Sequence, residues 1–222
     1  LHGGPMTQWT DGWHWRWSPL IAAAHGYLVV LPNPTGSTGF GQAHVEGIWG
    51  NRWGAQCFQD VMAIADRAAA RRDVAPARMA AMGGSFGGYM TNWIGGGTDR
   101  FRCLVTHASI YGMETFHGTT DHPPFWALQM GCTPWQDPEA YRRYSPHTRM
   151  LSWKTPTLVI HGEKDYRVSV GEGLMLFEAL QQHGVESELL VFPDENHWIL
   201  KPRNVVAWYE KVMAFLGRWL GV

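Results

Sequence analysis

The chain has 222 residues, of which 45% are hydrophobic and 17% charged, enough for one sizeable core in a single domain. Its formal net charge of −1 gives no electrostatic footprint for a nucleic acid or an anionic membrane surface. No apolar run approaches the roughly 20 residues that span a bilayer. The three cysteines are odd in number and lack paired metal-ligand spacing, so we expect reduced thiols and a cytoplasmic location.

The first third of the chain predicts two helices, one strand and a long loop. A short helix is predicted over 18–24, with Ser18 as its cap and proline at the first helical position. The apolar run 27–31 predicts a buried strand, and the glycine-rich, polar stretch 33–53 predicts a loop. Apolar residues at helical spacing then predict an amphipathic helix over 56–71.

A glycine-rich turn follows the next apolar run, 79–82. It places Gly83, Ser85 and Gly87 in a Gly-x-Ser-x-Gly signature. A serine hydroxyl is a weak nucleophile unless the backbone presents it on a sharp turn beside a base. Glycine two residues before and after allows that turn, because a Cβ there would strike the neighbouring helix or strand. The pattern predicts that Ser85 is a nucleophile lying where a strand ends and a helix begins.

Two later strands are each followed by a residue that could act with Ser85. The apolar run 157–160 predicts a buried strand and precedes Asp165, while 188–192 predicts the last strand and precedes His197. Open α/β sheets place their chemistry at the carboxyl ends of the strands. The order serine, acid, histidine is the order found on the α/β-hydrolase scaffold. Strands that alternate with helices favour an α/β fold with a mostly parallel sheet.

Each of these residues also has an ordinary interpretation. Asp165 could be a solvated loop carboxylate, and His197 is one of 11 histidines. Asp194 and Glu163 are rival acids, although Asp194 lies only three residues before His197 and is poorly placed to approach its ring from behind. The joint pattern of three residue types in the required order favours the catalytic interpretation.

A site of this kind also needs N–H donors for the developing oxyanion. Losing one donor costs about 3–4 kcal/mol of transition-state stabilisation. Phe86, directly after the nucleophile, predicts one donor. The chain opens with a His-Gly-Gly-Pro turn over 2–5, which predicts the second donor, the alternative being an ordinary tight turn.

Together these motifs resemble the catalytic domain of the prolyl oligopeptidase family of serine peptidases, in its acylaminoacyl-peptidase-like branch. The likeness covers nearly the whole chain and is carried by the segments 2–5, 26–27, 32–41, 83–89, 161–168 and 192–204. It implies that Ser85 is the nucleophile, Asp165 the orienting acid and His197 the base. It also implies that Gly4, with Gly3 as the alternative, and Phe86 supply the oxyanion donors.

The resemblance carries expectations about fold and domain organisation. It implies an α/β-hydrolase fold with a mostly parallel sheet, helices on both faces and the N-terminal strands missing. Residues 1–222 would be the C-terminal catalytic domain of a longer chain that carries a β-propeller before it. A missing strand would lie between 27–32 and 78–82. Thr35, Phe40, Ala55 and Ser169 depart from the usual pattern of the family.

The resemblance also suggests a substrate pocket in the aromatic segment 111–135, formed by Phe116, Phe125 and Trp126, the alternative being core beneath a long loop. The activity that it implies is hydrolysis of short peptides through an acyl-enzyme, with no metal or organic cofactor and no nucleic acid or membrane partner. A carboxylesterase on the same fold and a catalytically incompetent fragment are the alternatives. The sequence leaves the oligomeric state open, a homo-oligomer included.

Overall fold

The computed structural model describes residues 1–50 and 52–221. Within them, four strands form a parallel sheet in sequence order: β1 (Ala80–Gly84), β2 (Cys103–His107), β3 (Thr157–Gly162) and β4 (Ser187–Phe192). Every connection between consecutive strands contains at least one helix, as parallel pairing requires. The carboxyl ends of all four strands therefore meet at one edge of the sheet.

The helices alternate with the strands. Before the sheet lie α1 (Pro19–Ala24), α2 (Gln42–Glu46) and α3 (Gln56–Ala69), and α4 (Phe86–Gly95) follows β1. Between β2 and β3 lie α5 (Met113–Thr119), α6 (Pro123–Met130), α7 (Pro138–Arg143) and a 3₁₀ helix (Pro146–Ser152). Finally α8 (Val170–Gln182) follows β3, and α9 (Pro202–Leu220) follows β4.

Two hydrophobic cores lie on opposite faces of the sheet. On one face, Trp208 and Val212 of α9 pack with Val105 and Ile160, which project from the central strands. On the other face, α3, α4 and α8 bury a second core around Leu104 and other side chains. The parallel sheet with helices on both faces confirms the predicted fold class.

The predicted strand over 27–31 is wrong, since these residues carry no strand pairing. An open apolar cleft of about 480 Å³ lies between them and β1. We call it the edge cleft; its lining includes Leu1, Val30, Ile64, Ala81 and Leu220. The segment lies across this cleft from the free edge of β1, so its main chain is too far away to pair with the sheet, and Leu28 and Val30 are exposed.

Two segments predicted to be irregular contain helices. The loop over 33–53 includes the short α2, and the aromatic segment 111–135 includes α5 and α6. Prolines occupy the first positions of α6, and Gly131 ends it in the left-handed conformation, φ 78°. Among the described residues, no helix is both long and apolar enough to cross a membrane.

Candidate active site

Ser85 lies on a tight turn between β1 and α4. Its backbone has φ 58° and ψ −123°, a conformation rare for a residue with a side chain. The turn is fixed from both sides, because Ser85 N–H donates to the His107 carbonyl at 2.9 Å and its own carbonyl accepts from Tyr89 N–H. A Cβ on Gly83 would overlap the backbone of Gly87. The glycines of the motif are therefore required by close backbone contact, as the sequence predicts.

The N-terminal turn lies directly beside this serine. A Cβ on Gly3 would lie 3.3 Å from Ser85 Cβ and 3.8 Å from its Oγ. Gly4 has φ 119°, which favours glycine. In the described part of the chain, no main-chain hydrogen bond uses the Gly4 N–H, and the Phe86 N–H lies in the unpaired first turn of α4. Both predicted donors are therefore free to bind a negatively charged oxygen.

Polar contacts hold the N-terminal turn in place. The Thr7 hydroxyl donates to the Gly3 carbonyl at 2.7 Å, and Thr38 N–H donates to the Thr7 carbonyl at 3.0 Å. The His2 ring lies 2.8 Å from the Ser37 hydroxyl through Nε2. The loop over 33–41 thus supports the turn that carries Gly4.

Asp165 and His197 form a hydrogen-bonded pair at the carboxyl ends of β3 and β4. His197 Nδ1 lies 2.7 Å from Asp165 Oδ2. The other carboxylate oxygen accepts the main-chain N–H groups of Arg167 and Val168 at 3.0 and 2.9 Å. The carboxyl group is fully buried, whereas the His197 side chain is 11% exposed. A reacting group can therefore approach the ring but not the carboxylate.

The electrostatics of this pair keep the carboxylate ionised. Burial alone would raise the pKa of Asp165, but the His161 ring beside it and the hydrogen-bonded His197 ring lower its pKa to about 2. Asp165 is therefore negative at neutral pH and can stabilise a protonated His197 ring.

Close backbone contact brings the two loops together. A Cβ on Gly162 would lie 2.7 Å from the Glu195 carbonyl, so glycine lets the loop after β4 approach the end of β3. The Lys164 N–H donates to the same carbonyl at 2.9 Å. The buried Glu195 carboxylate accepts N–H groups from Leu200 and Lys201 at 3.0 and 2.8 Å, which closes the loop that carries His197.

The two rival acids lie away from the ring. Asp194 is half exposed and pairs with Lys201 and Asn204 at the start of α9. Glu163 is exposed, and its N–H pairs with the Phe192 carbonyl. Among the described residues, Asp165 is the only carboxylate that bonds the His197 ring. None of the hydrogen bonds found there joins the Ser85 hydroxyl to that ring.

The predicted pocket residues form an aromatic cluster that reaches the nucleophile. Phe116 and Trp126 are buried, and Phe125 is partly buried. Trp53 contacts both Trp126 and Phe86, with ring centroids 5.7 and 5.0 Å apart. Because Phe86 follows Ser85, this cluster extends from the site into the core. The sequence does not predict the place of Trp53 in this cluster, because the long loop that carries it has no periodic pattern.

A second buried histidine, His107, lies at the end of β2. Its Nε2 is 2.9 Å from Arg16 Nη1, and Trp208 Nε1 lies 3.0 Å from its Nδ1. Burial, followed by the nearby Arg16 charge, holds the pKa of His107 well below its usual value. His107 therefore stays neutral and is not placed to act as a solvent-accessible base.

Two of the departures from the family pattern have local partners. Thr35 donates its N–H and hydroxyl to Asp60 at 2.8 and 2.6 Å, and Ser169 caps α8 by accepting from the Gly171 N–H. Over residues 1–50 and 52–221, no three His, Cys, Asp or Glu side chains are grouped to hold a metal ion.

The chain matches known proteins along its whole length. It is 40% identical to dipeptidyl-peptidase 5 of Porphyromonas endodontalis over 98% of the chain, and 41% identical to dipeptidyl-peptidase 5 of Aspergillus fumigatus over 100%. It covers only 32% and 31% of those proteins, so it spans about a third of their length.

Solved structures match with the same partial coverage. The uncomplexed acylaminoacyl peptidase of Pyrococcus horikoshii superposes with a TM-score of 0.91 and 28% identity, over 99% of this chain and 36% of that one. A puromycin-hydrolyzing peptidase of Mycobacterium tuberculosis gives the same TM-score and identity, over 99% of this chain and 33% of its own. The model of the Prolyl oligopeptidase family matches residues 13–222. This chain therefore belongs to the prolyl oligopeptidase family.

Proposed function

We propose that the chain is the catalytic domain of a serine peptidase that cleaves short peptides through Ser85, His197 and Asp165. The observation that carries the proposal is the 2.7 Å bond between His197 Nδ1 and the buried Asp165 carboxylate, in a domain with Ser85 on a strained turn. A buried carboxylate behind an accessible imidazole is the arrangement that activates a serine hydroxyl.

The proposed reaction has two halves. Ser85 Oγ attacks the peptide carbonyl carbon while His197 Nε2 takes the hydroxyl proton, and Asp165 stabilises the imidazolium. The oxyanion lies against the N–H groups of Gly4 and Phe86. The ring returns its proton to the departing amine as the C–N bond breaks, which leaves an acyl-Ser85 ester. Water then repeats the sequence and restores the free hydroxyl.

The relatives suggest the substrate class. Proteins about 40% identical to the chain are named dipeptidyl-peptidase 5, and a structure 28% identical is named an acylaminoacyl peptidase. We favour release of dipeptides from the free amino end of short peptides, because the more similar proteins carry that name. The relatives are about three times as long as this chain. We assign the selection of the free amino end of the substrate to the remainder of the parent protein. The family resemblance predicts that this remainder is a β-propeller.

Turnover of chromogenic substrates by the intact parent protein tests this proposal. We expect release of p-nitroaniline from an unblocked dipeptidyl p-nitroanilide, and its loss in Ser85→Ala. Ser152→Ala, which alters an exposed serine away from the sheet's carboxyl edge, is the matched control and should leave turnover unchanged. Turnover of short p-nitrophenyl esters without any anilide cleavage would instead support the carboxylesterase alternative.

A further inference from the structure

His161 is a second buried imidazole beside the catalytic carboxylate. It lies near the end of β3, where its backbone pairs with Val191 of β4, and its side chain is completely buried. It points toward α8, because a Cβ on Gly173 of that helix would lie 2.7 Å from its Nδ1. The proposed reaction leaves this residue without a role.

The contacts of His161 fix where its proton lies. Nε2 is 2.8 Å from the Val168 carbonyl and 3.5 Å from Asp165 Oδ2. Both oxygens only accept, so Nε2 carries the hydrogen. Nδ1 is buried and has no hydrogen-bond partner among the described residues. A hydrogen on Nδ1 would be buried without an acceptor, so the contacts place the ring hydrogen on Nε2.

We propose that His161 is a positioning residue for the Asp165–His197 pair. Its Nε2–H bonds the Val168 carbonyl, in the loop that carries Asp165. The same nitrogen faces the carboxylate oxygen that bonds His197. The inference rests on the proposed function of that pair.

The geometry explains why one donor matters there. Asp165 Oδ1 is held by two main-chain N–H groups, so the carboxylate keeps its place when His161 is altered. Oδ2 faces only the rings of His161 and His197 within 3.5 Å in the described chain. Without the His161 donor, more of the negative charge acts on His197, and the protonated form of that ring is favoured.

Other charged and titratable groups surround the pair, and they come from other elements. Near Asp165 lies Arg16, which in turn has Tyr209 and Glu195 close to it. Near His161 lie His107 and Glu172. None of these five residues lies on β3, the strand that carries His161.

Replacement by two amides of different length tests the proposal. A glutamine amide can place its N–H near the position of Nε2, whereas an asparagine amide reaches only to the position of Nδ1. His161→Gln, His161→Asn and His161→Leu would be compared in the intact protein by the rate of fluorophosphonate labelling between pH 5 and 9. His183→Asn, which alters an exposed histidine after α8, is the control.

We expect His161→Gln to label within about threefold of the unaltered protein, and the Asn and Leu variants to label about tenfold more slowly at pH 7. Labelling needs a neutral His197, so the acid limb of the Asn and Leu profiles should move to higher pH. His183→Asn should follow the unaltered profile.

Several results would overturn the inference. Asn and Leu variants with the unaltered pH profile, or an equal loss in all three variants, would mean that ring volume matters rather than the donor. If the variants do not fold, ¹⁵N spectra of the histidine rings in the unaltered protein decide: an Nδ1–H tautomer or a charged ring at pH 7 for His161 contradicts it. Absence of labelling in the unaltered protein would instead count against the proposed function.

Discussion

At the scale of the residue, Ser85 occupies a conformation that costs free energy. A residue with a side chain at φ 58° and ψ −123° lies in a sparsely populated region, which costs about 1–3 kcal/mol. Here the strain is held by the bond from Ser85 N–H to His107 and by glycine-to-backbone contact at Gly83 and Gly87. The surrounding structure thus imposes the turn that exposes the hydroxyl.

Asp165→Asn tests the role of the buried carboxylate. The amide keeps the shape of the side chain but removes the charge that stabilises protonated His197, and it favours the wrong ring tautomer. We expect kcat to fall by about 10⁴-fold. Steady-state turnover of a peptide anilide measures the loss.

Asp194→Asn is the matched control, since Asp194 is half exposed and pairs with Lys201 and Asn204 at the start of α9. This variant should keep turnover within about twofold. A large loss in Asp194→Asn together with a small one in Asp165→Asn would show that the wrong acid has been assigned.

The sequence predicts the acid–base pair better than it predicts the residues that hold the pair in place. Asp165 and His197 each follow an apolar strand, and adjacent parallel strands bring such residues to one edge. Glu195 and His161 follow the same two apolar runs, but the sequence does not show which groups their side chains bond. Their importance depends on bonds to main-chain groups of neighbouring loops, whose geometry is decided by tertiary packing.

At the scale of the element, the turn between α5 and α6 is fastened to the loop that carries Asp165. The buried Thr120 hydroxyl donates to the Arg167 carbonyl at 2.8 Å and accepts from Trp126 Nε1 at 3.2 Å. Asp121 N–H donates to the Tyr166 carbonyl at 2.8 Å, and the Asp121 carboxylate pairs with Arg167 at 2.6 Å. The predicted pocket and the loop that carries Asp165 are therefore joined by hydrogen bonds and an ion pair.

Thr120→Val removes the hydroxyl that bonds both Arg167 and Trp126, and it changes the volume of the side chain very little. It leaves the Trp126 N–H and the Arg167 carbonyl buried without that partner, so we expect the free energy of unfolding to fall by about 1–3 kcal/mol. Urea denaturation followed by tryptophan fluorescence measures the change. Thr120→Ser keeps the hydroxyl and should recover most of the loss; equal losses in both variants would refute the role of the hydrogen bonds.

The predicted elements fail where pairing depends on a distant partner. The residues over 27–31 have the composition of a strand, but a strand needs a neighbour at hydrogen-bonding distance, and the edge cleft lies there instead. In contrast, the amphipathic helix predicted over 56–71 is confirmed as α3 (Gln56–Ala69), since its apolar periodicity is a local signal.

At the scale of the whole molecule, the edge cleft leaves one edge of the described sheet unpaired and apolar side chains exposed. It separates the free edge of β1 from the exposed residues over 27–30. At its border the Leu1 main-chain nitrogen donates to the Met82 carbonyl at 2.6 Å. The missing strand that the family resemblance implies would fit between these two edges, and its presence stays a prediction.

A chain extended upstream tests that prediction, since the relatives are about three times as long. If the preceding residues of the parent form a strand in the edge cleft, they pair the free edge of β1 and cover apolar side chains. We therefore expect the extended chain to melt at least several degrees higher and to bind less of the dye ANS. Equal melting temperatures and equal dye binding would show that the cleft stays open.

The central claim is that three loops, at the ends of β1, β3 and β4, bring Ser85, Asp165 and His197 into one working site. Mapping the residue modified by a fluorophosphonate in the intact protein tests this claim most directly. The account predicts a single modified peptide with the phosphonyl group on Ser85, formed quickly at pH 8 and nearly absent in the Asp165→Asn variant. Modification of another serine, or no modification of an active, folded protein, would contradict it.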